Sequence, residues 1–317
     1  MELSPDSKRK LKKERKKIVS EKDKKDKKDK KDKKDKKKRE ESKNKDSGEV
    51  ERIKVKAVET KTPKETSKEI SDQNVKLEGL QEHVGKSIIK RLMKDIKYLL
   101  ENGPKDNIYV AFKDDNLGEL YMLLFGPEKS PYQGCLFPFS MTFHNYPNES
   151  PKMKFICPYT IRCHPNLYKE GKVCLSILGT WAGPPWTSMM TINTIAQNIF
   201  GILDEEPLKN EPGYANAKEG DTRVCNYTDY VQYICIKETI ENFLIPIVMD
   251  TGKVPSIFRL FKDAIIAYYI ENKQKYVEYL KKLSVKDGEK IPNQVGYGNS
   301  TLVGEKYNYR SILDKLP

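Results

Sequence analysis

His164-Pro165-Asn166-Leu167-Tyr168-Lys169-Glu170-Gly171-Lys172-Val173-Cys174-Leu175 decides how this chain is read. It sets a carboxamide eight residues before a thiol, on a loop shaped by Pro165 and Gly171. A thiol can hold an acyl group as a thioester, and an amide N–H nearby can steady the oxyanion that forms when an amine attacks it. The pairing of Asn166 with Cys174 therefore predicts acyl transfer, with the sulfur on a loop that water reaches.

Each residue has a duller use. A cysteine is more often a small buried hydrophobe than a nucleophile, and Asn is a common turn residue. A cysteine hydrolase is the rival chemistry, and it needs a histidine base bonded to the thiol. The chain has three His, and His164 is the one near in sequence; it precedes Pro165 in what reads as a tight turn, so a turn-fixing hydrogen bond is its favoured role. Scarcity of His favours transfer over hydrolysis, because a base beside a thioester promotes its loss to water. The six cysteines, at 135, 157, 163, 174, 225 and 235, form no C-x-x-C pair, so neither a metal nor a cofactor is expected. Free thiols suit a reducing compartment.

Of 317 residues, 37% are hydrophobic and 33% charged, so a good part of the chain buries nothing. Charge shows which part. Residues 1–50 hold 23 Lys and Arg against 13 Asp and Glu, a net of +10 out of +13 for the whole chain. From Asp23 to Lys37 an Asp-Lys-Lys repeat runs without one apolar residue and cannot offset chain entropy. Residues 1–80 are expected to be a disordered Lys-rich tail and linker; the tail is read first as a solvated arm, and after that as an import or nucleic-acid-contacting segment or a target of the chain's own transfer activity. Interspersed Asp and the lack of aromatics make nucleic acid an unlikely partner. No apolar run of 18 or more residues and no secretory h-region appear, which predicts an intracellular protein of the cytoplasm or nucleus, without a membrane partner.

Order is expected from about residue 81, as a core domain over 81–245 and a C-terminal helical extension over 246–317. Ile88, Ile89, Leu92, Met93, Ile96, Leu99 and Leu100 recur at helical spacing, and Asn102-Gly103-Pro104 ends that helix. Four β-like runs follow, Ile108–Phe112, Glu119–Phe125, Leu136–Phe143 and Lys152–Ile156, parted by Asn-Leu-Gly, Gly-Pro and Tyr-Pro turns. Short connections favour an antiparallel meander. Beyond the Cys174 loop, helices are predicted over Thr191–Leu203, Tyr227–Phe243 and Ile257–Leu283, the last with Phe258, Phe261, Ile265, Tyr268 and Tyr269 inward. The layout is α+β.

Three ordered motifs carry a family resemblance. His164-Pro165-Asn166, followed eight residues after the Asn by Cys174, resembles the signature of the ubiquitin-conjugating enzymes. Gly126-Pro127-Glu128-Lys129-Ser130-Pro131-Tyr132-Gln133-Gly134 is similar to their strand-connecting turn, and Tyr146-Pro147 with Ser150-Pro151-Lys152 to the loop before their fourth strand. Cys174–Trp181 and Asn210-Glu211-Pro212-Gly213-Tyr214 resemble a branch with extra C-terminal helices. The resemblance covers residues 85–240, and more weakly the chain to about 283.

The resemblance implies the ubiquitin-conjugating fold: N-terminal helix, four-stranded meander, active-site loop and C-terminal helices. It implies that Cys174 takes ubiquitin or a ubiquitin-like modifier from an activating enzyme, which consumes the ATP, and passes it to a lysine of a protein substrate or to a ligase thiol. It gives Asn166 oxyanion stabilisation or upkeep of the loop. Glu205 and Glu206 match an acceptor gate, against the alternative of a solvated acidic pair, and Ser176 stands where many relatives have Asp. Lys90, Arg91 and Lys94 are the implied contacts for the activating enzyme. Ser188 and Met189 fall on the second ligase loop, where relatives read Ser-Pro-Ala, and Asn148 replaces a Phe in the first. Two other readings stay open: a silent relative that binds without transfer, and a nucleic-acid binder acting through the tail.

Overall fold

α1 (Lys86–Asn102) opens the computed structural model, which describes residues 86–113, 116–296 and 298–317. The Lys-rich repeat and the linker lie outside the described residues. Ile89, Leu92, Ile96 and Leu99 are buried while Lys90, Lys94 and Lys97 stand exposed, so the apolar period of the sequence becomes the face that α1 lays on the core. At Asn102-Gly103-Pro104 the helix runs into a 3-10 turn (Gly103–Asp106). Pro104 has no N–H with which to extend an α-helical ladder. Asn107 then takes a left-handed conformation (φ 61°) that feeds the first strand.

β1 (Ile108–Lys113), β2 (Asn116–Phe125), β3 (Leu136–Thr142) and β4 (Lys152–Phe155) form one antiparallel sheet in that order, the expected meander. Val110 lies opposite Met122, Met122 opposite Phe139, and Phe139 opposite Phe155. All four are buried, so register and hydrophobic face are set by the same residues. The Asn-Leu-Gly turn expected between the first two runs is corrected: Asn116 pairs with Lys113 and begins β2, with a register shift between Phe112 and Lys113. A strand can absorb such a residue as a bulge.

The 126–134 connection is locked by its own side chains. A Cβ on Gly126 would lie 1.9 Å from the Tyr132 carbonyl oxygen, so only glycine fits. Ser130 Oγ donates to the Pro127 carbonyl (2.9 Å) and accepts from the Tyr132 N–H (3.2 Å). The buried Tyr132 hydroxyl donates to the Cys163 carbonyl (2.6 Å), tying this turn to the segment that leads into His164.

After the Cys174 loop, α2 (Ile192–Ile202) starts in a capping box made by Thr191 and Thr194. α3 (Thr222–Glu238) begins five residues earlier than expected, because the Asp221 side chain accepts from the Arg223 N–H and caps it. It passes through a π-helical stretch (Thr239–Leu244) into α4 (Ile245–Val248). The single helix expected over 257–283 is two, α5 (Ser256–Leu260) and α6 (Lys262–Leu283), parted at Phe261. Phe258, Phe261, Ile265, Tyr268 and Tyr269 are buried all the same. A two-stranded hairpin, β5 (Gln294–Val295) and β6 (Gly298–Asn299), and α7 (Tyr309–Lys315) complete the described chain.

α6 covers the far end of the sheet. Tyr268 stacks on Phe125 with ring centroids 3.9 Å apart. Tyr279 donates to the Ser130 carbonyl (3.3 Å), and the buried Tyr276 to the Gly134 carbonyl. No helix among the described residues is long and apolar enough to cross a membrane.

Candidate active site

The loop from His164 to Cys174 closes on itself. The Leu167 N–H bonds to the His164 carbonyl (3.1 Å), the Tyr168 N–H to Lys172 (2.9 Å) and the Cys174 N–H to Asn166 (2.9 Å). Gly171, at φ 105°, makes the reversal between Tyr168 and Lys172, a conformation that L side chains rarely adopt. Its carbonyl accepts from the Phe155 N–H (2.9 Å), so the loop hangs from the end of β4.

Asn166 and Cys174 meet as the motif predicts. The Asn166 carboxamide Nδ2 donates to the Cys174 carbonyl (2.8 Å), in addition to the backbone bond running the other way. One amide hydrogen thus holds the loop, and the second is left over. Asn166 Oδ1 is buried without a protein partner, although the residue is only 7% exposed.

His164 is fully buried and both ring nitrogens are engaged. Nδ1 accepts from the Asn166 N–H (3.0 Å), which leaves Nε2 as the donor to the Ile202 carbonyl (2.7 Å). Burial pushes its pKa down to about 3. A neutral imidazole with no free nitrogen cannot serve Cys174 as a base, so it fixes the turn.

Cys174 is 1% exposed, which corrects the expectation of a sulfur that water reaches. It is nonetheless shallow. Burial raises its pKa, Lys172 and then Arg162 lower it, and Glu211 and Glu170 raise it again. Lys172 and Glu170, which flank the loop's reversal at Gly171, are themselves exposed. Cys135 and Cys235 are as little exposed as Cys174, and burial lifts them further, to about 12 and about 11. The Cys174 thiol is thus closed to a water molecule but not deep in the protein. Thr180 Oγ1 holds the residues on either side of Cys174, donating to the Val173 carbonyl (2.6 Å) and accepting from the Leu175 N–H (3.0 Å). From there Trp181 projects into solvent, 46% exposed.

Glu205 is exposed, and Glu206 is paired with Lys209 (2.6 Å). Neither is among the carboxylates that act most on the thiol; Glu211 and Glu170 are. The Asn210–Tyr214 motif contains Glu211 but implies no role for it. Its carboxylate lies 3.8 Å from the Arg162 guanidinium, which also bonds to the Pro165 carbonyl and lies 3.7 Å over the Tyr168 ring. Arg162 and Glu211 are 49 positions apart, and no local pattern joins them.

The other implied contacts separate. Lys90 and Lys94 are exposed on α1, whereas Arg91 turns inward to Asp95 (3.2 Å) and donates to the carbonyls of Ser188 (3.4 Å), Met189 (3.4 Å) and Met190 (3.0 Å). The buried Asp95 also accepts from the Tyr146 hydroxyl, and Trp186 donates to the Pro147 carbonyl (2.7 Å). One helix therefore braces both candidate partner loops. Ser188 is exposed, and Met189, 84% exposed, is the most prominent apolar side chain on them. Among the described residues no group of three or more His, Cys, Asp or Glu is placed to hold a metal ion.

A four-stranded meander behind an N-terminal helix, with a His-Pro-Asn loop folded onto a cysteine, defines a class. Residues 91–234 match the family model described as "Ubiquitin-conjugating enzyme". Over that stretch, a little under half of the chain, the sequence is similar to that family. It is similar to "Ubiquitin-conjugating enzyme E2 Z" of Danio rerio, 29% identical over 59% of this chain and 57% of the relative. The Homo sapiens protein of the same name is 31% identical over 50% of this chain and 45% of the relative. The solved structure of human ubiquitin-conjugating enzyme E2 G1 is 33% identical, over 35% of this chain and 90% of that one, with a TM-score of 0.30. The chain spans about half the length of the curated relatives it matches.

Proposed function

We propose that this protein is a ubiquitin-conjugating enzyme: Cys174 accepts the C-terminal carboxyl of ubiquitin or a ubiquitin-like modifier from an activating enzyme, and passes it to a lysine amine or a ligase thiol. The observation that carries the proposal is the pair of hydrogen bonds between Asn166 and Cys174, with both ring nitrogens of His164 engaged in holding the turn. It supports a thiol set up to carry an acyl group without a neighbouring base to hydrolyse it.

In the transfer to lysine, the neutral amine attacks the thioester carbonyl. The C–N bond forms, the C–S bond breaks, and the proton lost by nitrogen restores the thiol. The second Nδ2 hydrogen of Asn166 is the donor available to the oxyanion, a contribution worth on the order of 10² to 10³ in rate for such donors. A raised thiol pKa fits a carrier loaded by a partner, since a resting thiolate is not required. Lys90 and Lys94 are the cationic contacts for the activating enzyme, and Ser188 and Met189 face a ligase. Arg91 braces the loop that presents them.

The test is incubation with activating enzyme, modifier and ATP. An adduct that reductant removes, formed by wild type and not by Cys174→Ala, supports the proposal. No adduct with any of several modifiers favours a silent binding module instead.

A further inference from the structure

The C-terminal hairpin touches the same loop that carries Glu211. The Tyr214 hydroxyl donates to the Gly296 carbonyl (3.1 Å), across 82 positions. Gly296 sits at φ 59°, and a Cβ there would lie 2.7 Å from the Tyr227 ring and 3.1 Å from Leu208 Cδ1. Leu208 is fully buried and Val295 nearly so, so the turn is wedged into the loop from below. Within the loop, Asn210 Nδ2 donates to Asp204 (2.8 Å), and the Glu211 N–H bonds to the Leu208 carbonyl (3.0 Å). Glu211 then reaches Arg162, and Arg162 reaches the Pro165 carbonyl of the His-Pro-Asn turn.

We infer that the hairpin turn at Gly296 and the Tyr214 hydroxyl are positioning features for transfer: they hold the 207–214 loop so that Glu211, rather than Glu205 or Glu206, is the carboxylate that receives the incoming lysine. The inference rests on the proposed thioester chemistry. A lysine arrives as an ammonium and must be held while it sheds a proton. Glu206 is occupied by Lys209 at 2.6 Å, and Glu205 is exposed. Glu211 is loosely paired and stands beside the loop that bears Asn166. The described C-terminal segment is then part of how the site selects its acceptor, and not only a cover for the sheet.

The test loads the full-length protein with ubiquitin, removes ATP, and follows discharge onto free lysine and onto hydroxylamine over a range of concentrations. Hydroxylamine is neutral near pH 7 and needs no carboxylate to hold it. For Glu211→Gln, and for the milder Tyr214→Phe, the ratio of lysine to hydroxylamine discharge is expected to fall roughly tenfold through a higher KM for lysine, as misplacement near 1 Å can cost up to 10²-fold. Glu211→Asp should recover part of the loss, and Gly296→Val should behave as Tyr214→Phe or worse. Normal loading with an unchanged ratio in both Glu211→Gln and Tyr214→Phe overturns this inference alone. So does equal slowing with both nucleophiles, which marks a merely structural role. Failure of the wild type to load overturns the proposed chemistry, and this inference with it.

Discussion

In the proposed function Asn166 joins loop upkeep to an oxyanion role in one carboxamide, because Nδ2 has two hydrogens and the Cys174 carbonyl uses one. The two roles separate by measurement. Asn166→Ala leaves a buried carbonyl without its donor, at a cost of about 1–3 kcal/mol in denaturant unfolding. It should also slow discharge onto lysine by on the order of 10² to 10³, while loading of Cys174 suffers less. His164 makes a prediction of opposite character. Its pKa is about 3 in the fold against about 6.5 in an unfolded chain, so the unfolded state takes up the proton first. Stability from this group is intact above about pH 6.5 and declines on acidification toward pH 3, by up to ~1.4 kcal/mol per pH unit. Unfolding free energies between pH 6.5 and 4.5 should therefore fall more steeply in wild type than in His164→Gln; equal slopes would contradict the assignment. Asn166 was legible in the sequence because its partners, His164 and Cys174, lie within ten positions, whereas the Ile202 carbonyl that takes the second ring nitrogen of His164 is 38 positions on. Glu211 was not legible, since the Arg162 that holds it is remote in the chain.

The elements were legible wherever a period ran long enough to show. α1 and the four strands of the sheet follow their apolar spacing, and the one misplaced turn, at Asn116, comes from a register shift that spacing does not record. The break at Phe261 escaped because apolar positions continue in phase through it. The β5–β6 hairpin is two residues a side and has no period at all. α1 gives the sharpest expectation among the elements. Arg91 alone ties it to three successive carbonyls of the 188–190 turn, so Arg91→Ala should raise amide exchange across Ser188–Met190 while leaving the sheet protected. Unchanged exchange in that turn would show that the three bonds do not hold it.

For the molecule as a whole, the described C-terminal segment is bound into the core's own motifs. α6 stacks Tyr268 on Phe125 at the end of β2, bonds Tyr276 to the Gly134 carbonyl and pairs Lys275 with Glu128 (2.7 Å), the last two on the Gly126–Gly134 turn. A Cβ on Gly134 would collide with the Tyr276 hydroxyl at 2.1 Å, so turn and helix are matched. Tyr268→Ala should cost about 3 kcal/mol, and a chain ending at 245 should melt well below the full protein. Sequence could not foresee the shallow cover over Cys174, because exposure is decided by neighbours that only the fold assembles. That cover must part for loading, and this makes the site of attachment the decisive quantity. Intact mass and peptide mapping after incubation with activating enzyme, ubiquitin and ATP should place one ubiquitin on residue 174, as a reductant-labile thioester in wild type and a reductant-stable ester in Cys174→Ser. Attachment instead at the exposed Cys225, or an undiminished adduct in Cys174→Ala, would contradict it.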